Sequence, residues 1–414
     1  MTVQAMAAER IYLRELAKKC RGISELPVME ERRHRWLAHN RGEVTSPLIV
    51  VEEKTFVNDI LPPLRCSDPA LQVIEKQLLT NIAVHELIDD DKVARDEFIV
   101  PLDLSFRLFN MAPKREFSKD SAGRALGYHD EPVIEDLENG LPDLAPSTFS
   151  VNRESTEAAR ALAEEMIGDI LPVRIKNQSM FWQMALSMHL VTLMGMQNLF
   201  LALMDAPEEV KRLADRIADE LIRFLKWQEA EGLLTLNNGN DYAGSGSYGF
   251  SDELPAAGFN GRVRLCDQWA NMNSQETVGV SPEVYKEVFF PAYERMASLF
   301  GLVYYGCCEP VHGIWDSCLS SLSNLRKVSV SPWCDEEAMG AVLRGGKIIY
   351  SRKPTPGFLG VEGAFDETAY TEHIKKTLKA AAGCPLEIIH RDIYTLSGDI
   401  AKIGRAVKLI RSLF

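Results

Sequence analysis

The chain has 414 residues, with 46 Lys and Arg against 59 Asp and Glu, a formal charge of −13, and 46% hydrophobic residues. This is the composition of a globular protein long enough for one large domain or two medium ones. Its negative charge repels phosphate backbones and argues against nucleic acid as a partner. No run of eighteen apolar residues exists; the richest stretch, Ala185 to Met204, contains His189, Thr192, Gln197 and Asn198 and reads as a buried helix, not a membrane span.

The start, MTVQAMAAERIYLREL, lacks the basic, apolar and small-residue segments of an export signal, so a cytoplasmic location is expected. The eight cysteines, at 20, 66, 266, 307, 308, 318, 334 and 384, form no CxxC pair. In a reducing compartment they read as small buried hydrophobes rather than a disulfide framework, with the adjacent pair Cys307 and Cys308 as the exception.

From Glu9 to Ala38 the apolar spacing predicts helices, an N-terminal helical extension over residues 1–44, with the basic cluster EERRHRW on its exposed face. PLIVVEEKTF reads as a buried strand, ALQVIEKQLLTNIAVHELI as a helix and EFIVPLDLSF as a second strand; Asn110 to Ser150 reads as surface loops with a short hairpin. After Ser155 strand and helix alternate. Helices are expected at 157–167, 180–203, 206–231, 281–301, 315–325, 335–346, 368–382 and 401–413, and strands near 172, 262, 302, 327, 347 and 386. With those near 48 and 98 there are eight strands, so residues 45–414 are expected to form a (β/α)8 TIM barrel, an α/β fold; a doubly wound open sheet is the alternative.

A barrel collects its chemistry at the C-terminal ends of its strands. Those ends carry Glu52 and Glu53, Asp267 to Trp269, Cys307 to Glu309, Lys353, and His390 to Asp392. In GCCEP, strand alternation points Cys307 and Glu309 into the mouth and Cys308 toward the helices. A thiolate and a carboxylate so placed suit zinc, with Cys384 or His312 as a third ligand. The alternative is a buried cysteine pair beside a solvated Glu. Asp267, Gln275 and Glu276 are candidates to hold substrate or move protons, a carboxyl beside Trp269 having its pKa raised. GSGSYG at 244–249 matches G-x-G-x-x-G but lacks the flanking strand and helix, so it reads as a mobile loop over the mouth, with Asn238, Asp241 and Tyr242 as substrate contacts.

With GCCEP, NLRKVSVSPWCDEEAMGAVL, Lys353 in SRKPTP and the closing PLEIIHRDIYTLSGD, residues 260–414 resemble the uroporphyrinogen decarboxylase superfamily. The resemblance implies the (β/α)8 barrel and one of two chemistries: cofactor-free decarboxylation, or methyl transfer to or from corrinoids or thiols on a zinc-bound thiolate. The decarboxylase branch's arginine-rich signature, beginning R-Q-A-G-R, has no counterpart here; Arg32, Arg33 and Arg35 are spaced differently. The methyltransferase branch carries H-x-C and a later Cys. A gap-free placement puts Cys307 at the His position, Glu309 at the first Cys and Cys384 near the second; a shift of two puts Cys307 at the first Cys and Tyr305 at the His.

The resemblance therefore implies a zinc-dependent methyltransferase of a demethylation system, moving a methyl group between a small methyl ether or amine and a corrinoid-binding protein, with a homodimer as the oligomer. Cys307, Glu309 and Cys384 would hold the metal. Asp267, Glu276, Lys353, His390 and Asp392 would be catalytic, and Trp269, Gln275, Asn238, Asp241 and Tyr242 would contact substrate. The alternatives are a metal-independent decarboxylase or lyase acting on a small carboxylated substrate through Lys353, His390, Arg391 and Asp392, and a non-catalytic ligand-binding barrel.

Overall fold

The computed structural model describes residues 3–119, 125–137, 141, 143–177, 184–361 and 364–414. Eight parallel strands are present: β1 (Leu48–Val51), β2 (Phe98–Pro101), β3 (Val173–Lys176), β4 (Trp269–Met272), β5 (Leu302–Tyr305), β6 (Leu325–Val330), β7 (Ile349–Arg352) and β8 (Leu386–His390). They do not form the continuous barrel ladder expected. Six make one sheet in the order β1-β8-β7-β6-β5-β4, and β2 pairs with β3 alone.

The open edges of these sheets are satisfied by irregular chain instead of strands. On β1 the amides of Ile49 and Val51 donate to the Asp91 and Asp90 carboxylates at 2.7 and 2.8 Å. Between β3 and β4 lies the segment 233–237, where the Asn237 side chain imitates a strand, accepting from the Trp269 amide and donating to its carbonyl, both at 2.9 Å. Buried backbone groups must find partners, and here side chains provide them.

The helical N-terminus is packed against the sheet more closely than an extension would be. Helix α1 spans Val3–Ser24 and α2 spans Pro27–Asn40. Trp36 of α2 is buried and donates to the Asp91 carbonyl at 2.8 Å. Arg32, expected on the exposed face, is buried and bonds the Lys92 carbonyl and Asp89. Three further expectations change. The helix expected at 315–325 is a run of turns with one short 3-10 segment, and Leu325 already begins β6. The strand near 262 starts later, because Asp267 accepts the Arg264 and Ala256 amides and folds 265–267 into a turn before β4. The helix expected at 180–203 is split by Gly195 into Leu186–Met194 and Met196–Asp205, bent by 98°, its first residues lying outside those described. Among the described residues no single helix is long and apolar enough to cross a membrane.

The sheet's outer face is covered by helices and its inner face by a hairpin, Tyr242–Gly244 paired with Ser247–Tyr248. This is the glycine-rich stretch expected as a mobile loop; it is a buried plug. Ser247 donates to Glu387 of β8 at 2.8 Å and accepts from Lys327 of β6 at 2.6 Å, and Ser245 donates to the Gly306 carbonyl at 2.8 Å. Gly246 makes the fit possible, because its φ is +87° and an added Cβ would collide with Ile389. Gly246→Ala is expected to cost ~2–5 kcal/mol, the sum of left-handed strain and overpacking, read as a lowered urea midpoint for unfolding.

Candidate functional site

Alternation along β8 decides which of its residues meet the hairpin. Glu387, Ile389 and Arg391 face inward, whereas His390 faces the helices, its Nε2 2.7 Å from the Tyr370 hydroxyl. His390 is therefore a buried packing histidine and not a mouth residue; burial pulls its pKa down to about 3. On β7 the inward residues are Ser351 and then Lys353, whose ammonium donates to the hydroxyls of Tyr304 at 2.7 Å and Ser351 at 2.6 Å. Burial lowers Lys353 to about 7.

Past the strand ends a chain of contacts links four segments. The Tyr242 hydroxyl donates to Glu52 Oε1 at 2.6 Å, and Arg391 Nε donates to Glu52 Oε2 at 2.8 Å. Arg391 Nη1 lies 3.3 Å from Cys307 Sγ. Cys307 Sγ is 3.7 Å from Cys308 Sγ, which is 3.9 Å from Asp392 Oδ2. The hydrogen bond from Cys308 and the Arg391 charge overcome burial and hold the Cys307 thiol below its usual range. Its partner Cys308 is pushed up by that same hydrogen bond and by burial, so of the two thiols Cys307 is the more readily ionised.

The turn after β5 explains why Glu309 does not share this role. Gly306, the first residue of GCCEP, has φ +102°, which ends strand alternation before the cysteines are reached. Glu309 is turned back onto the backbone, accepting the Ser274 amide at 2.8 Å and the Cys307 amide at 2.9 Å. Burial and the neighbouring Cys307 raise it to about 7. Both thiols, rather than Cys307 alone, lie at the strand ends.

The expected zinc ligands are not brought together. Cys384 precedes β8, at the opposite end of the sheet from Cys307, and its thiol is buried against the Gly340 carbonyl. A five-residue strand separates it from the mouth, about 17 Å at the usual rise. His312 accepts the Asp335 amide. Among the described residues no three His, Cys, Asp or Glu side chains converge as a metal site. The donor set does not fit zinc, which takes three or four ligands.

Asp267 also lies at the wrong end, fully buried before β4 and paired with Arg264 at 2.8 Å. Arg264 together with backbone amides, outweighing burial, holds its carboxyl below the usual range, the reverse of the raised pKa expected beside Trp269. Glu276 accepts from Ser187 at 2.6 Å and from Gln275 at 3.2 Å, a separate cluster. Asn238 is structural, donating to the carbonyls of Ser251 and Leu254.

Three expected substrate contacts do share a space. Asp241, Tyr242 and Trp269 line a cavity of about 440 Å³ together with Lys54, Arg95 and Lys176. Lys54 stands 4.0 Å from the centre of the Tyr242 ring. Tyr242 thus borders the cavity and starts the chain to Cys307. Glu52 and Arg391 are expected at strand ends, Arg391 with a role only in the lyase alternative; Lys54 and Arg95 are the site residues that the sequence reading does not name. Counting outward in twos from Glu387 finds Arg391; nothing in the sequence places Arg95.

No family model matches the chain, and no curated protein matches it. A solved structure similar to it is a methyltransferase from Methanosarcina mazei, 12% identical over 91% of this chain and 98% of that one, with a TM-score of 0.49. Likeness of that degree decides neither fold closure nor activity.

The thiol geometry has a direct readout. Iodoacetamide alkylation of Cys307, followed by peptide mass spectrometry across pH, is expected to have its midpoint below the ordinary thiol value of about 8.5. Arg391→Gln is expected to move that midpoint upward by about one unit or more, because it removes the charge that favours the thiolate.

Proposed function

We propose that this chain is a methyltransferase in which the Cys307 thiolate accepts the methyl group. The observation that supports this reading is the Arg391 guanidinium 3.3 Å from Cys307 Sγ at the C-terminal ends of the strands. A thiolate is the nucleophilic form of cysteine, and a neighbouring cation keeps it available at neutral pH.

In the step so formed, a sulfur lone pair attacks the methyl carbon. A C–S bond forms while the bond from methyl to the substrate heteroatom breaks, its electrons leaving with the heteroatom. An oxygen leaving group takes a proton from the neighbouring Cys308 thiol, and an amine donor reacts in its ammonium form and leaves as the neutral amine. Arg391 fixes the sulfur, Glu52 and Tyr242 fix Arg391, and Asp392 faces Cys308. Zinc has no part in this reading because its ligands do not assemble. The small methyl ether or amine as donor, and the corrinoid protein that takes the methyl group onward, enter from the sequence resemblance alone.

Deuterium-labelled methyl ethers and methylamines, offered singly, provide the test. Labelled methyl on the peptide carrying Cys307 is expected for the true donor class, and Cys307→Ser is expected to slow transfer more than about a hundredfold, ~3 kcal/mol of transition-state stabilisation. Turnover that persists undiminished in Cys307→Ser would overturn the reading.

A further inference from the structure

We infer that the cavity beside Tyr242 binds a small molecule through a carboxylate, with Arg95 as the group that recognises it. The inference names the substrate class of the proposed site; it rests on the methyl-transfer reading only in calling the bound molecule a substrate.

Charged side chains from several segments line the cavity. Three cations, Lys54, Arg95 and Lys176, and two carboxylates, Glu53 and Asp241, line it. Both carboxylates are already answered: Asp241 by Lys176 at 3.1 Å, and Glu53 by Lys92, outside the lining, at 2.6 Å. Arg95 makes no ion pair with any described residue, and its buried Nη1 has no hydrogen-bond partner among them. A guanidinium without an ion-pair partner at the wall of a cavity is a group that an incoming anion satisfies.

Placement and shape agree. Asn81 brackets Arg95, accepting its amide and donating to its carbonyl, both at 3.3 Å, so the backbone under the guanidinium is held. The planar fork of arginine matches a carboxylate in two parallel hydrogen bonds. Trp269, Tyr242 and Leu236 provide apolar wall, and about 440 Å³ falls within the range of small-molecule sites. The ligand class is therefore a carboxylate on a compact, partly apolar body. Because Tyr242 also bonds Glu52, a ligand seated here touches the contact chain that ends at Cys307.

Benzoate and its neutral isostere benzamide are suitable probes, with binding followed by titration calorimetry on the full chain. Benzoate is expected to bind at least about tenfold more tightly than benzamide. Arg95→Gln is expected to weaken benzoate about tenfold or more and leave benzamide unchanged, while Arg95→Lys keeps part of the preference. Absence of benzoate binding, equal affinity for the two probes, or benzoate binding unaffected in Arg95→Gln would each overturn the inference. Tighter binding of phenyl phosphate than of benzoate would overturn the carboxylate assignment. The comparison of probes on the unsubstituted chain needs no variant to fold. Binding is read without turnover, so a chain that binds benzoate through Arg95 but leaves Cys307 unmethylated sustains this inference and overturns methyl transfer alone.

Discussion

At the centre of the molecule the carboxylate of Glu387 is shared among three partners from three places in the chain. Lys327 of β6 stands 3.3 Å away, Ser247 of the hairpin 2.8 Å and His39 of α2 3.2 Å. All four side chains are buried. Burial opposes ionisation of Glu387, yet Lys327 and the hydrogen bond from His39 hold its carboxyl far below the usual range. Burial draws Lys327 down to about 8, with Glu387 opposing that shift. Removing one partner of such a pair costs about 3–5 kcal/mol, because the remaining charge stays buried. The pair therefore specifies position more than it adds stability: it ties the N-terminal helices, two strands and the hairpin to one point.

The placement of the mouth depends on that point. Ser247 anchors one strand of the hairpin, and Tyr242 begins the other. With Ser247 held, the Tyr242 hydroxyl meets Glu52, which orients Arg391 against Cys307. The hydroxyl also accepts the Gly246 amide at 2.7 Å, so the turn and the site share one hydrogen-bond acceptor. A polar interior thus transmits its geometry to the strand ends through a loop whose glycines permit close approach to the sheet. The same hairpin forms one wall of the cavity through Tyr242, Ala243 and Tyr248.

Much of this architecture is legible in the residues alone. The alternation of apolar strand and amphipathic helix after Ser155 follows from hydrophobic periodicity and capping. Ser281 and Pro282 do open a helix, the Ser281 hydroxyl accepting the Val284 amide. GCCEP stands out because two adjacent thiols before a carboxylate at a strand end are chemically unusual, and the structure places both thiols against Arg391 and Asp392. Less legible are residues whose direction depends on where a strand begins. Cys384 and Asp267 lie near strands in sequence but before them, and parallel strands separate such positions from the C-terminal ends by the strand's length. His390 sits on β8, one residue out of phase with Arg391, and so faces Tyr370.

The sequence by itself determined the α/β alternation, the eight strand segments and Cys307 at a strand end, because these depend on local periodicity and on short-range chemistry. Only the tertiary structure decided that the strands divide into six and two, that the glycine-rich stretch enters the inner face, and that Arg391 reaches Cys307 whereas Cys384 does not. Those outcomes depend on contacts between residues far apart in the chain, 339 positions for Arg391 and Glu52 and 348 for His39 and Glu387. Edge hydrogen bonding, charge pairing and steric fit across such separations leave no local pattern in the residues that make them.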